Sequence, residues 1–199
     1  MEEREKRKIG EELEPGGRPK APGRLEVLQR FVNTHNHDFP DDWDRLETAE
    51  KAAAWLADKG LIAPGESISE ADAARLRELR EAIRALIVAG RGGGQDPAAL
   101  EALRAAAAAA ELTVAFDAGG RSALEPVSGG VGGVAATLLG ILHEAQVTGE
   151  WTRMKACRQC EYAFFDRSKN RSATWCAMSI CGNRTKNRAF YRRQRASER

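Results

Sequence analysis

The chain has 199 residues, of which 42% are hydrophobic and 30% are charged, and its formal net charge is +2. A chain of this length can bury a core without disulfides or metals, and it supports one compact domain with a small appended unit. No apolar run reaches the roughly 18 residues that a membrane-spanning helix needs. The N-terminus also lacks the apolar stretch of a secretory signal. We therefore expect a cytoplasmic protein without a membrane partner.

The small net charge conceals a strong asymmetry along the chain. Residues 151–199 contain 13 Lys/Arg and three Asp/Glu, whereas residues 1–150 contain 18 basic and 26 acidic side chains. An acidic body with a basic tail is typical of a protein whose tail binds a polyanion. A basic helix that is only solvated would have the same composition, so the charge alone does not establish a partner.

The first half of the chain has a helical pattern. Residues 1–23 mix acidic and basic side chains with Gly and Pro, which predicts a disordered lead-in. Apolar residues then recur at helical spacing, and turn residues separate the repeats. Gly60 is expected to end one helix in the left-handed conformation, and Ser69 with Asp72 to form a capping box on the next. The predicted helical stretches are 24–35, 48–60, 67–90 and 96–111.

The pattern changes after the fourth helix. Two short apolar runs, LTVAFD and RSALEPV, flank Ala118-Gly119-Gly120 and predict a β-hairpin. GGVGGVAATLLGILHEAQVTG then returns to helical spacing. The predicted fold is therefore mainly α, within the α+β class: a helical domain over residues 24–149 with a small hairpin on its flank.

All four cysteines fall within 25 residues, at Cys157, Cys160, Cys176 and Cys181, in the pattern C-x2-C-x15-C-x4-C. Zinc takes four thiolates in a closed tetrahedron, and paired cysteines at this spacing are typical of such sites. Disulfides are disfavoured in a reducing cytoplasm, and a CxxC redox motif would not explain the second pair. The sequence predicts one structural Zn²⁺ in a treble-clef-like finger over residues 150–199, with the second pair at the start of a basic C-terminal helix.

The helix after Cys181 carries arginines at i, i+4, i+8 and i+11, which places four guanidinium groups on one face. Guanidinium binds phosphate in a bidentate manner, while Asn can read adenine at a base edge. The candidate nucleic-acid-binding residues are Arg184, Lys186, Asn187, Arg188, Tyr191, Arg192 and Arg195. We expect the zinc to fix the first turn of this helix and the helix to bind DNA.

The C-terminal segment RMKACRQCEYAFFDRSKNRSATWCAMSICGNRTKNRAFYRRQR closely resembles the CGNR zinc-finger family. The match rests on the Cys181-Gly182-Asn183-Arg184 tetrapeptide and on the FxDRSxNxSxxWC and CGNRxKxR patterns. The preceding region, with FVNT at 31–34 and AAAWLADKGLI, is similar to the ABATE-type domain found before this finger. The resemblance implies a stress-induced transcription regulator whose helical domain senses a small ligand. Asn33, Thr34 and His35 are the candidate ligand-binding residues.

Two functions stay open at this level. One is a DNA-binding transcription regulator, and the other is a zinc-stabilised module that binds RNA or a protein through the same helix. Catalysis is not expected, because no Ser/His/Asp or Cys/His arrangement stands out and all cysteines are assigned to zinc. We expect zinc removal to unfold residues 153–195 and leave the helical domain folded. The sequence does not specify which DNA sequence or which ligand is bound. It also does not specify whether the regulation is activation or repression, or whether the chain forms a homodimer.

Overall fold

The computed structural model describes residues 14–36 and 43–197. The described residues form six α-helices and two antiparallel two-stranded sheets, which confirms the predicted fold class. The helices are α1 (Leu25–Val32), α2 (Ala49–Asp58), α3 (Glu70–Ala89), α4 (Pro97–Ala109), α5 (Gly130–Val147) and α6 (Asn183–Ser197). The strands are β1 (Leu112–Phe116), β2 (Ser122–Pro126), β3 (Met154–Ala156) and β4 (Ala163–Phe165). Among these residues, no helix is both long and apolar enough to cross a membrane.

The helix ends follow from local sequence chemistry. The Ser69 hydroxyl oxygen accepts a hydrogen bond from the Asp72 backbone N–H at 3.1 Å, and the Asp72 carboxylate accepts one from the Ser69 N–H at 3.1 Å, which completes the predicted capping box of α3. Gly60 follows α2 with a φ of +66°, a conformation that glycine adopts without steric cost. Asp96 caps α4 by accepting from the Ala98 N–H at 2.9 Å.

Helices α1, α3 and α5 pack together around the main core. Helix α2 closes one side of it, where the Phe31 and Trp55 rings lie 6.0 Å apart. Burial of each such aliphatic or aromatic side chain contributes about 1.5–3 kcal/mol to folding. Fully buried members of the core include Leu28, Phe31, Leu56, Leu76, Ile83, Ile87 and Leu138.

The predicted hairpin is confirmed as β1 paired with β2, in a register that places Leu112 opposite Pro126 and Phe116 opposite Ser122. Its turn is held by Asp117, whose carboxylate accepts hydrogen bonds from the Gly119 N–H at 2.8 Å and the Arg121 N–H at 3.0 Å. The hairpin packs on α5 through β2. It is therefore part of the helical domain, on the flank where the sequence predicts it.

Strands β3 and β4 belong to the core of the helical domain as well as to the finger. Met154, Ala156, Ala163 and Phe165 are each at most 5% exposed and form one apolar cluster with α1, α3 and α5. Successive side chains of a strand point to opposite faces. Phe165 accordingly faces the helices, while Phe164 packs among the cysteines. One short strand therefore contacts both the helical core and the cysteines, and the predicted boundary between residues 149 and 150 stays a prediction.

The predicted disorder of residues 1–13 lies outside the described residues, but residues 14–23 are ordered against the rest of the chain. The Gln29 side chain donates to the Glu14 carboxylate at 2.8 Å and accepts from the Ala21 N–H at 2.9 Å. Glu14, Ala21 and Gln29 are all buried. These contacts differ from the predicted lead-in, because a buried glutamine binds a carboxylate and a backbone N–H that composition does not describe.

Candidate metal centre and basic helix

The first cysteine pair lies in the tight turn between β3 and β4. The Cys157 N–H donates to the Tyr162 carbonyl at 2.9 Å, and the Glu161 N–H donates to the Cys157 carbonyl at 2.9 Å. Glu161 has a φ of +58°, a left-handed conformation that is uncommon for a residue with a side chain. The turn directs Cys157 and Cys160 inward, where they are 0% and 4% exposed.

The second pair lies at the start of the C-terminal helix. Cys176 precedes a single π-helical turn, Met178–Gly182, which contains Cys181 and runs directly into α6. The Gly182 N–H donates to the Ala177 carbonyl at 3.1 Å, and the Thr185 hydroxyl donates to the Cys181 carbonyl at 2.9 Å. Single π-turns often occur at functional sites. Here the wider turn brings both cysteines to the same side as the first pair.

The four sulfur atoms have the spacing of a zinc–thiolate tetrahedron. The Cys160–Cys176, Cys176–Cys181 and Cys181–Cys160 sulfur pairs are 3.8, 3.6 and 3.7 Å apart. All four Sγ atoms lie within 4.8 Å of one another. A tetrahedron with Zn–S bonds of ~2.3 Å has edges of about 3.8 Å, so the residues present fit the ion. The four buried cysteines form one closed structural zinc site.

The four thiols perturb one another's ionisation because their sulfur atoms are so close. Hydrogen bonds from the Cys160 and Cys176 thiols lower the pKa of Cys157. The hydrogen bond with Cys157 raises the pKa of Cys160 to about 12. Hydrogen bonds with Cys157 and Cys160 raise the pKa of Cys176, and burial raises that of Cys181. Four adjacent thiolates repel one another, whereas a thiol that coordinates Zn²⁺ is deprotonated outright.

Asp166 organises the loop that joins the two cysteine pairs. Its side chain is fully buried, and its carboxylate accepts hydrogen bonds from the Ser168 N–H and the Ala173 N–H, each at 2.9 Å. Burial raises the pKa of Asp166, but these hydrogen bonds outweigh it and the net pKa is lowered. A deprotonated Asp166 therefore fixes both ends of the loop, and this explains the Asp in the FxDRSxNxSxxWC pattern.

Two arginines from the helical half of the chain bind the backbone of the zinc ligands. Arg18 donates to the Cys176 carbonyl at 2.6 Å and the Trp175 carbonyl at 2.9 Å, and its guanidinium carbon lies 4.6 Å from the centre of the Phe164 ring. Arg91, just after α3, donates to the Cys157 carbonyl at 2.6 Å. One Zn²⁺ with four thiolates would carry a net charge of −2, which these two cations on the backbone of the ligands would partly offset.

The candidate ligand-binding residues lie at the contact between the helical domain and the finger. The Asn33 side chain pairs with the backbone of Ala163 like a neighbouring strand: it donates to the Ala163 carbonyl and accepts from the Ala163 N–H, both at 2.8 Å. The Thr34 hydroxyl donates to the Phe31 carbonyl at 2.8 Å. The His35 carbonyl accepts from Arg84 at 2.8 Å. These contacts give all three residues a role in the fold, and their binding of a ligand stays a prediction.

A buried ion pair lies beside these residues. Arg80 binds Asp44 in a bidentate manner, with nitrogen–oxygen distances of 2.6 and 2.8 Å, and also donates to the Thr34 hydroxyl at 3.2 Å. Arg84 donates to the Val32 carbonyl at 2.6 Å. Both guanidinium groups are thus used within the chain, as buried charges usually are. Breaking such a buried pair by removing one partner typically costs about 3–5 kcal/mol.

A shallow groove separates residues 22–25 from the C-terminal half of α5. Its volume is about 160 Å³. Sites for drug-sized ligands are usually ~300–1,000 Å³, so this groove suits only a very small molecule. Its lining residues include Arg24, Leu25, Ile141, Glu144 and Glu150.

The seven candidate nucleic-acid-binding residues all lie on α6, and all are exposed. The helix contacts the finger mainly through its first two turns, where Thr185 and Ala189 are half-buried. Arg188 donates to the Gln159 side-chain oxygen at 3.3 Å, which ties the helix to the turn between the first two cysteines. The structure therefore brings the metal centre and the basic helix together. Nucleic-acid binding by these residues stays a prediction.

These features define a class of protein, in which a helical domain shares its core with a four-cysteine zinc finger that carries a basic helix. Residues 25–147 match the ABATE family model, described as "Putative stress-induced transcription regulator", and residues 153–194 match the CGNR zinc finger. The chain belongs to the ABATE family and ends in a CGNR zinc finger, as the sequence resemblance predicts. A search of curated proteins finds no match.

Proposed function

We propose that the chain is a DNA-binding regulator in which the zinc centre fixes α6 and α6 binds the DNA. The observation that carries the proposal is the charge of this helix. It contains six Lys/Arg and no Asp/Glu, and all six cationic side chains are exposed. Cationic side chains that neutralise phosphates release counterions, which supplies most of the non-specific affinity for DNA.

The zinc centre supplies the stability that α6 lacks by itself. Isolated helices of about 15 residues are marginal in water, and α6 buries little apolar surface of its own. The Cys181 carbonyl and the Gln159 side chain hold its first two turns through Thr185 and Arg188. We therefore assign the zinc a structural role, with all four coordination positions closed and no catalytic function.

The helical half of the chain contacts the finger directly. Arg18, Asn33 and Arg91 each bind backbone groups beside or within the zinc-binding segment. A ligand or stress signal that shifted α1 or α3 would change these contacts and, through them, the start of α6. The proposed regulator acts in the cytoplasm, and the proposed sensing domain is residues 24–149.

Fluorescence anisotropy of the full chain with duplex DNA, over a series of salt concentrations, tests the proposal. Each neutralised phosphate contributes about −0.9 to the slope of log K against log salt. We expect Arg192→Ala to weaken all duplexes alike and to flatten the slope by about one unit. Arg121→Ala is the matched control, because it removes the same charge from the exposed hairpin turn.

Equal slopes for the wild type and Arg192→Ala would contradict binding through α6. Tighter binding of an RNA of the same sequence would favour the alternative, a zinc-stabilised RNA-interaction module. The full chain is used because β3 and β4 complete the core of the helical domain, so a truncated chain is not a valid comparison.

A further inference from the structure

The side of α6 that points away from the finger is not the arginine face. At about 100° per residue, half-buried Thr185 and Ala189 mark the side that faces the finger. The opposite side carries Asn187, Phe190 and Tyr191, which we call the outer strip. Phe190 and Tyr191 are 49% and 61% exposed, and their rings meet edge to face with centroids 5.7 Å apart. Exposed apolar rings at the outermost point of a cationic helix suit a surface that binds a partner.

Cationic side chains border the outer strip on both sides. On one side of its centre, Arg184, Arg188 and Arg195 lie roughly 60–100° away, and Arg192 lies roughly 140° away. Lys186 and Arg193 lie roughly 100–120° away on the other side. The arginine face predicted from the sequence is therefore one flank of the surface. Two cationic flanks around a central strip of amide and aromatic groups match a groove with base edges at its centre and a phosphate backbone on each side.

We propose that α6 enters the major groove of duplex DNA with the outer strip against the base edges. This inference rests on the proposed function, and it identifies the face of α6 that reads the DNA sequence. The groove is ~12 Å wide and admits an α-helix. The finger body lies on the far side of the helix, so it does not obstruct entry.

The chemistry of the outer strip specifies the bases it reads. An asparagine amide binds adenine at N6 and N7, and an apolar ring packs against the thymine C5-methyl group. Asn187 and Phe190 are three residues apart and therefore neighbours on the helix surface. The site read by this strip contains adenine for Asn187 and, within one or two base pairs, thymine for Phe190.

The experiment first selects duplexes that the full chain binds from a random-sequence pool, and then alters single atoms of the best one. Replacing the contacted thymine by deoxyuridine removes one methyl group and is expected to weaken wild-type binding about fourfold. Replacing the contacted adenine by 7-deazaadenine removes N7 and is expected to weaken binding about fivefold or more. Phe190→Ala should lose only the deoxyuridine effect and Asn187→Ala only the 7-deazaadenine effect, both with an unchanged salt slope.

Phe116→Ala is the matched control, because Phe116 is an equally prominent ring, 71% exposed, on the β1–β2 hairpin. It should keep both base effects. Selected duplexes without a shared A·T position, or base effects that persist in Phe190→Ala and Asn187→Ala, would overturn the major-groove assignment while leaving DNA binding intact. If no duplex is enriched and no salt-dependent binding occurs, the proposed function itself fails, and this inference fails with it.

Discussion

Arg18 stabilises the metal centre from a position 158 residues before the cysteine whose carbonyl it binds. It makes two hydrogen bonds to carbonyl oxygens and one ring contact with Phe164. A hydrogen bond to a charged group contributes about 1.5–3 kcal/mol. We therefore expect Arg18→Ala to lower the free energy of unfolding by at least about 1.5 kcal/mol and to speed zinc transfer to a colorimetric chelator.

Arg24→Ala is the control for Arg18. Arg24 lies on the same segment, but its ion pair with Glu125 is exposed, with side-chain exposures of 38% and 44%. Exposed pairs contribute only about 0–1 kcal/mol. Equal rates of zinc transfer in the two variants would show that Arg18 does not support the metal centre.

The sequence predicts the roles of some single residues and not of others. The cysteines are predictable, because their spacing and their chemistry both specify zinc. Arg18, Asn33 and Arg91 are not, because each binds a backbone carbonyl 65 to 158 residues away. Any residue presents a carbonyl, so no pattern in the partner segment marks the contact. Only the fold brings donor and acceptor together.

At the scale of elements, the close approach of α5 to the end of β2 depends on one glycine. A Cβ at Gly133 would lie 2.2 Å from the Ser128 carbonyl oxygen, a contact that the backbone has to move to relieve. Overpacking of this kind usually costs about 1–3 kcal/mol. We expect Gly133→Ala to lower the free energy of unfolding by that order, measured by urea denaturation.

The neighbouring glycine provides the comparison. At Gly132 the nearest atom to an added Cβ is the Ser128 hydroxyl oxygen, 3.9 Å away. Alanine is favoured over glycine within helices by roughly 0.5–1 kcal/mol, so Gly132→Ala should raise stability. The two variants are thus expected to change stability in opposite directions. A rise in stability for both would contradict the close approach of α5 and residue 128.

Elements with a strong local pattern are predictable, and those that depend on the metal are not. Helix α3 begins where its capping box predicts and follows its apolar repeat. The π-turn Met178–Gly182 has no such signal, because its shape follows from placing Cys176 and Cys181 around a common point. Strand β4 is only three residues long, too short for its alternation to show that both faces are buried.

At the scale of the whole molecule, the zinc supports more than the finger. Met154, Ala156, Ala163 and Phe165 join the helical core, and Asn33 pairs with Ala163 at 2.8 Å in both directions. Zinc binding to small fingers contributes an apparent ~10–16 kcal/mol to folding. The total stability of a typical domain is only about 5–15 kcal/mol. Loss of the zinc therefore removes an amount comparable with the stability of the entire chain.

In contrast to the expectation from sequence, the shared core leads us to expect that chelation of the zinc unfolds the helical domain together with the finger. After treatment with a strong zinc chelator, amide hydrogen exchange should accelerate in α1 and α3 as well as in residues 154–182, and added Zn²⁺ should restore protection in all of them. Cys176→Ser should show the same loss without chelator, since it removes one of the four ligands. Helix α1 packs directly on β4 and so is the most informative segment. Retained protection in α1 with exchange confined to the finger would show that the shared core survives without the metal.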